Sequence, residues 1–334
     1  MRLLITGGAG FIGSNFIRYM LNKYPEYKIT NLDKLTYAGN LENLKDVDRN
    51  NNYSFVKGDI CNKALVQKLI NGHDTVINFA ACTHVDRSIL DTDDFIQTNF
   101  VGTYTLLEAT KDSNIKLFIQ ISSDECYGSI PSGYSKEIDR LEPNSPYSAS
   151  KAAADLLARS YCVTYKLPVI ITRSSNNFGP YQYPEKVIPL FITNLIESKK
   201  VPLYGDGLNV RDWLFVLDNC SAIDLVLRKG KPGEIYNIGG GTLLNNEELT
   251  FKILKALGKK EDSIEYVKDR LGHDRRYALD CAKIRKLGWQ PEYNFDQALK
   301  ETIDWYKDNA KWWQKLKNKE FKKYYQKQYG AKSV

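Results

Sequence analysis

Tyr147 and Lys151 stand four residues apart in PYSASK (146–151). That spacing puts a phenol and an ammonium on one face of a helix expected to begin near Pro146. A nearby positive charge favours phenolate, so the pair could take a hydroxyl proton near neutral pH. Upstream, the β-rich run 117–122 ends in Ser122 and Ser123, and Asp124 and Glu125 follow at once. Adjacent carboxyls at a strand-to-loop transition point in different directions, so one can act as acid and the other as base. Alone, a YxxxK match is more often a surface tyrosine beside a lysine, and an Asp-Glu pair an exposed turn. Both gain weight here because they follow a strand whose C-terminal end is where such sheets bind ligands.

A third constellation binds rather than reacts. Gly7, Gly10 and Gly13 form GxxGxxG directly after the apolar run 3–6 and open a helix expected over 11–22. Such glycines let the backbone turn sharply and approach a pyrophosphate, which sits on the free N–H groups of the helix N-terminus. Asp33 follows at the end of the second strand, at the distance expected for a carboxylate that accepts ribose hydroxyls. It would repel a 2′-phosphate, so NAD is favoured over NADP, a preference Lys34 next door softens. Asp59, in VKGDI after the third strand, stands where an adenine-edge contact is expected.

The elements that position these groups alternate. Strands are expected over 3–6, 28–32, 53–56, 75–79, 117–122 and 169–173, with helical spacing between most of them, as over 64–70 and 98–111. This is the pattern of an α/β protein with a Rossmann-type doubly wound parallel sheet. After Arg173 the rhythm breaks. Residues 176–210 are rich in Asn, Pro, Tyr and Gly, with a helix expected over 187–199, and a strand over 235–238 ends in Gly239, Gly240 and Gly241. Two units are expected. Residues 1–178 plus about 208–241 form the NAD-binding domain, and about 179–207 plus 242–334 form a smaller, mainly helical nucleotide-sugar-binding domain over the sheet's C-terminal edge.

With 334 residues, 43% of them hydrophobic and 26% charged, the chain can bury a sizeable core. No apolar run approaches the roughly 20 residues of a membrane span. The N-terminus runs straight into strand and turn, which reads as no signal peptide. The six cysteines form no CxxC pair, so reduced thiols in a cytoplasmic protein are expected, and no metal site. The net charge of +7 is local: residues 283–334 hold 13 Lys/Arg against 6 Asp/Glu, and the remainder holds 34 of each. A nucleic-acid arm is conceivable. The preferred reading is a solvated amphipathic helix that buries Trp305, Trp312 and Tyr325 on one side. His73 reads as a surface residue, and His84 as either structural or a site contact. Arg275, Arg276 and Arg285 read as surface salt-bridge partners.

The order of glycine turn, serine, Tyr and Lys over residues 1 to about 280 resembles the extended short-chain dehydrogenase/reductase family. Within it, DKLTYAGNLENL (33–44), HVDRSI (84–89), SSDECYG (122–128), NNFGPYQYPEKVIPL (176–190), NVRDWLFV (209–216) and RLGHDRRYALD (270–280) are similar to the dTDP-glucose 4,6-dehydratases. That resemblance implies a cytoplasmic lyase, a homodimer joined through helices 98–111 and 148–166, in rhamnose-type deoxysugar biosynthesis. Tyr147 would start oxidation at sugar C4 with Ser123 and Lys151 assisting. Glu125 would take the C5 proton and Asp124 protonate the leaving C6 hydroxyl, with hydride returned to C6 so that NAD is regenerated within a turnover.

The same resemblance implies that NAD runs along Gly7, Gly10, Phe11, Ile12 and Gly13, then Asp33, Lys34, Leu35 and Thr36. It continues past Asp59, Ile60, Phe79, Ala80, Ala81, Thr83 and Thr98 to Ser122, Tyr147, Lys151 and Asn177. For dTDP-glucose it implies Thr83, Ser123, Asp124, Glu125, Asn176, Val187 and Asn246, with Lys186, Arg211, Arg270 and His273 as donors to the diphosphate. Pro202, Leu203 and Tyr204 would form the base pocket. Two departures stand out. Ser123 replaces the family's usual threonine, and the family's AAESHVDRS is here AACTHVDRS, with Cys82 for a carboxylate and Thr83 for a serine. The alternatives are another nucleotide-sugar 4,6-dehydratase, a 4-epimerase or decarboxylase of the same family, and a non-catalytic NAD-sensing protein.

Overall fold

Leu3, Leu4 and Ile5 are fully buried, yet they serve two different cores. In the strand Arg2–Thr6 successive side chains face opposite sides, so Leu3 and Ile5 join Phe16, Ile17 and Ile223 while Leu4 joins Leu32, Val76, Leu106 and Phe118. A strand apolar on both faces needs cover on both, which is the requirement of a parallel sheet between helices. The computed structural model describes residues 1–330. Seven parallel strands run in the order Ile235–Ile238, Val169–Ser174, Leu117–Ser123, Thr75–Asn78, Arg2–Thr6, Lys28–Asp33, Tyr53–Lys57. The order reverses at Arg2–Thr6, which pairs with Lys28–Asp33 on one side and Thr75–Asn78 on the other. A cleft must open beyond the strand ends at that switch point.

A third core lies beyond the sheet. Phe178, Trp213 and Phe215 pack there with Ile188, Phe191, Leu249, Ile303, Tyr306 and Trp313. Two small sheets accompany its helices: Leu243–Asn245, Val210–Phe215 and Asn176–Phe178 in one, Ile264–Val267 with Val201–Tyr204 in the other. Residues 331–334, the end of the expected second unit, lie outside the described residues.

The expected single amphipathic helix at the C-terminus is instead three: Phe295–Asp308, Ala310–Leu316 and Lys319–Tyr329. Asn309 and Lys317 leave helical geometry, and the Asn318 side chain caps the last helix by accepting from the Phe321 N–H. Trp313 and Tyr306 are the fully enclosed aromatics of these helices. Trp312 is buried, and Trp305 and Tyr325 are only half-buried. His73 also departs from its surface reading: its ring nitrogens meet the Leu69 carbonyl at 2.6 Å and Thr30 Oγ1 at 2.8 Å. Arg275 does pair with Asp206, whereas Arg276 donates to the Gly133 carbonyl. Among the described residues, no helix is long and apolar enough to cross a membrane.

Trp313→Ala empties a fully buried site whose indole N–H also donates to the Tyr306 carbonyl. It is expected to lower unfolding stability by about 3–5 kcal/mol, measured by urea denaturation; a loss under 1 kcal/mol would contradict this packing.

Candidate active site

The glycine turn sits at the switch point. Gly7 has φ +70°, and a Cβ there would lie 2.5 Å from the Ala80 nitrogen; one on Gly13 would lie 2.5 Å from the Gly7 carbonyl. At Gly10 an added Cβ would meet only the Gly7 carbonyl, at 3.3 Å. Gly10 is also the N-cap of Phe11–Lys23 and supplies no side-chain cap, so the first N–H groups of that helix are left for a ligand. Asp33 is held by N–H groups of Ala9 (2.9 Å) and Leu35 (2.8 Å). Burial pushes its carboxyl up, and those two N–H bonds oppose the shift. Leu35 takes a left-handed φ of 58° to reach it. Lys34 pairs with Asp59 at 2.8 Å, so its charge is already met within the groove. A dinucleotide with a pyrophosphate and a ribose diol fits this donor set.

One continuous cleft joins this groove to the reactive groups. Gly7, Gly10, Phe11, Ile12, Gly13, Asp33, Lys34, Thr36, Asp59 and Ile60 line one end. Phe79, Ala80, Ala81, Cys82, Thr83 and Thr98 line the middle, and Ser122, Ser123, Asp124, Glu125, Tyr147, Lys151, Asn176, Asn177 and Lys186 the other end. It encloses about 1600 Å³ of empty space, open mouth included.

At the reactive end, the strand Leu117–Ser123 runs into a short turn Asp124–Tyr127, with Ser123 Oγ accepting from the Glu125 N–H and donating to Asp124 Oδ1 at 3.2 Å. Asp124 is buried and its Oδ2 has no partner. Burial, then the charges of Glu125 and Asp212, push its carboxyl well above the ordinary range. Burial raises Glu125 too, but Arg270, Lys186 and Arg211 pull it back. The two adjacent carboxyls are therefore unlike: burial and like charges raise Asp124, while three cations oppose the rise at Glu125.

The helix Pro146–Tyr165 begins with a capping box at Ser145 and Ser148, which aims Tyr147 and Lys151 into the same space. Lys151 Nζ donates to the Ile121 carbonyl at 2.5 Å. Burial lowers its pKa while Asp155 holds it up. The expected drift of Tyr147 toward phenolate is outweighed here: burial, then Glu125, push the phenol well up, with only Ser123 counted against them. The low-dielectric cleft penalises the anion.

The expected diphosphate donors surround the reactive end but have internal partners. Lys186 Nζ donates to the Thr83 carbonyl at 2.6 Å. Arg211 donates to the carbonyls of Val210 and Asp274, and its guanidinium lies over Tyr277. Arg270 faces Asp86 at 3.4 Å and its Nε is buried without a partner. His273 meets Asp269 at 2.6 Å, and burial beside Arg270 lowers its pKa to about 4. Tyr204 ends the strand Val201–Tyr204, which carries Pro202 and Leu203. Val187 and Asn246 begin helices, and the Asn246 N–H donates to Asn209. Leu35, Val187, Pro202, Leu203, Tyr204, Arg211, Asn246, Arg270 and His273 are not among the residues lining the open cleft.

Several residues outside the expected set complete the site. Asn99, in a π-helical turn Ile96–Gly102, clamps the Cys82 N–H and carbonyl (2.8 and 3.0 Å). Glu185 lines the cleft and takes Arg87 Nε at 2.9 Å. Asp155 pairs with Arg173 behind Lys151. Asp155 lies four residues after Lys151 on one helix, a periodic signal that was readable. His84 is buried edge-on against Tyr324. Among the described residues, no cluster could hold a metal.

The chain is similar to known proteins over nearly its whole length. A family model described as GDP-mannose 4,6 dehydratase matches residues 4–302. The dTDP-glucose 4,6-dehydratase of Streptomyces antibioticus is 52% identical over 325 residues, covering 96% of this chain and 96% of that protein. The low-salt glycan biosynthesis protein Agl12 of Haloferax volcanii is 53% identical over 306 residues, covering 92% and 98%. Among solved structures, the dTDP-glucose 4,6-dehydratase DesIV of Streptomyces venezuelae, with NAD bound, superposes with a TM-score of 0.93 at 51% identity over 95% of this chain and 100% of that one.

Gly13→Ala places a methyl against the Gly7 carbonyl and must displace the turn. NAD affinity is expected to fall at least about tenfold, a cost of roughly 1.4 kcal/mol, in a fluorescence titration, while unfolding stays cooperative. Unchanged NAD affinity would remove the turn from the cofactor site.

Proposed function

The chain belongs to the dTDP-glucose 4,6-dehydratases of the extended short-chain dehydrogenase/reductase family, and from that premise we propose how its residues divide the reaction. It is an NAD-dependent nucleotide-sugar 4,6-dehydratase that converts dTDP-glucose to dTDP-4-keto-6-deoxyglucose, a step of deoxysugar synthesis, here assigned to the rhamnose-forming type. The observation that carries the division of labour is the unlike environment of Asp124 and Glu125 beside Tyr147.

NAD, when bound, supplies the acceptor for the C4 hydride and the source of the hydride delivered to C6. Tyr147 takes the C4 hydroxyl proton as phenolate; burial opposes that form, and the Ser123 hydroxyl and the Lys151 ammonium are the groups assigned to favour it. The C4 ketone acidifies C5, and Glu125 removes that proton. Asp124, held protonated by burial, gives its proton to the C6 hydroxyl, which leaves as water. Hydride addition at C6 and proton return at C5 complete a redox-neutral turnover. Lys186, Arg211, Arg270 and His273 hold the diphosphate, and Asn176, Val187 and Asn246 flank the sugar and nucleotide, with Pro202, Leu203 and Tyr204 against the base. Ser123 can do the hydrogen-bonding work of a threonine without its methyl.

Two lobes divide this work, residues 1–178 with about 208–241 on the cofactor and the remainder on the nucleotide sugar. The cytoplasm is the proposed compartment; all six cysteines are free thiols. A homodimer is proposed through the helices that carry exposed Leu156, Val163 and Tyr165 and, at Ile96, the neighbouring turn.

Incubation with dTDP-glucose should yield a 4-keto-6-deoxy sugar with no net NADH, and UDP-glucose in parallel should react more slowly. A galactose product would replace this reading with an epimerase. Glu125→Gln is expected to slow elimination about 10²–10⁴-fold, seen as loss of C5 deuterium exchange; an undiminished rate would remove Glu125 as the base.

The pH profile follows from the two directions. Glu125 must be ionised and its pKa is raised, so activity falls with falling pH at values above those of an ordinary glutamate. Asp124 must be protonated, so activity is lost as pH rises through its raised pKa. The charge of Asp212, a carboxyl itself raised to about 6, helps hold Asp124 up. Asp212→Asn should therefore move the alkaline limb of kcat to lower pH; a shift upward, or none, would refute the coupling.

A further inference from the structure

The lysine-rich tail was readable as a solvated amphipathic helix, but its aromatic face reaches more than a core. In Lys319–Tyr329, residues Phe321, Tyr324, Tyr325, Gln328 and Tyr329 form one stripe at helical spacing, while Lys322, Lys323 and Lys327 are exposed. Phe321 closes the third hydrophobic core, and Tyr325 and Tyr329 pack against it. Tyr324 and Gln328 do something else. Gln328 Nε2 donates to the Tyr204 hydroxyl at 2.8 Å, and that hydroxyl donates to Asp86 Oδ2 at 3.0 Å. The Tyr324 hydroxyl lies 3.4 Å from both His84 Nδ1 and Asp86 Oδ2. Asp86 in turn faces Arg270, whose buried Nε still lacks a partner.

The same stripe reaches the cleft wall. The Arg87 guanidinium is stacked between the rings of Tyr324 (4.5 Å) and Tyr37 (4.0 Å) while its Nε holds Glu185. On Tyr204, the Tyr329 ring lies at 5.6 Å on one side and His273 at 6.0 Å on another. The Tyr204 hydroxyl thus uses both its donor and an acceptor site, and its ring is fixed by two neighbours. A buried orphan donor on Arg270 asks for an oxygen that the protein does not supply.

We propose that the C-terminal helix is a working part of the nucleotide end of the substrate site: Tyr324 and Gln328 are positioning residues that fix Tyr204 and, through Asp86, Arg270, and so set the affinity for the nucleoside diphosphate. This rests on the dehydratase reading above. The tail carries no reacting group, and its action is on binding. Without Gln328 and the Tyr324 hydroxyl, Tyr204 loses a hydrogen bond that fixes its plane, and Asp86 loses a donor that keeps it from drawing Arg270 wholly to itself.

The test pairs a binding readout with turnover. The double variant Tyr324→Phe, Gln328→Ala keeps the aromatic stripe and is expected to raise Kd for dTDP, by calorimetry, and KM for dTDP-glucose about tenfold, as two lost hydrogen bonds of about 0.5–1.5 kcal/mol each imply. Its kcat is expected to stay within about threefold, and NAD affinity and Tm to be unchanged. A chain ending at Lys327 is expected to show the same split, and Lys322→Ala, Lys323→Ala to show none. Unchanged Kd and KM in the double variant would overturn the proposal, as would kcat falling in step with a lowered Tm, the mark of a purely structural helix. A parent protein that binds NAD but neither binds dTDP nor turns over dTDP-glucose would overturn the dehydratase reading itself, and this proposal with it.

Discussion

Two carboxyl groups on successive residues, one buried and one half-buried at the cleft wall, oppose each other's ionisation, and much of the site is arranged around that constraint. Asp124 lies deeper, with one oxygen unpartnered and Asp212 as a further negative neighbour. Glu125 sits where three cations reach it. The asymmetry is produced by elements far apart in the chain: Asp212 and Arg211 come from the strand Val210–Phe215, Arg270 from the segment after Ile264–Val267, Lys186 from the start of Val187–Ile196. The third core holds these segments together, so the packing of Phe178, Trp213 and Phe215 bears on the proton balance at residues 124 and 125.

The cations thereby serve two anions at once. Arg211, Arg270 and Lys186 are the groups expected to meet a diphosphate, and they are also the groups that oppose the raised pKa of Glu125. Binding a diphosphate would spend part of their field and leave Glu125 a stronger base, since a carboxylate with fewer cationic neighbours holds its proton more tightly. On the proposed assignment, substrate binding and base strength are coupled through the same side chains. Behind Lys151 the buried Asp155–Arg173 pair plays a comparable role, with Asp155 holding up the charge on an ammonium that burial would otherwise discharge.

What the sequence disclosed depended on how local the cause was. The glycine turn, Asp33, the Asp-Glu pair and the Tyr-Lys spacing are each set by a single strand end or one turn of helix, and they stand together in one cleft. The burial that raises the Tyr147 phenol was not legible, because spacing reports only the neighbouring ammonium. The nucleotide end was legible only through resemblance, because its contacts join Asp86 to Tyr204 across 118 residues and to Arg270 across 184. The tail's three helices were missed for a local reason: Asn309 and Lys317 interrupt a stripe whose periodicity otherwise runs on. Asn318 is a recognisable cap, and its presence three residues before Phe321 was the available signal.

Cys82 is best understood through the same constraint on buried charge. The family's carboxylate at this position would add an anion to a cleft wall that already holds Asp124 and Glu125. Here burial raises the Cys82 thiol, so it stays neutral, with its sulfur 3.7 Å from Thr98 Oγ1. The backbone around it is fixed by Asn99 rather than by any charge on the side chain. Thr83, next in line, offers its carbonyl to Lys186 and thereby keeps that ammonium at the cleft wall. The segment is thus held without a charge at 82, and the difference in environment between Asp124 and Glu125 arises from other groups.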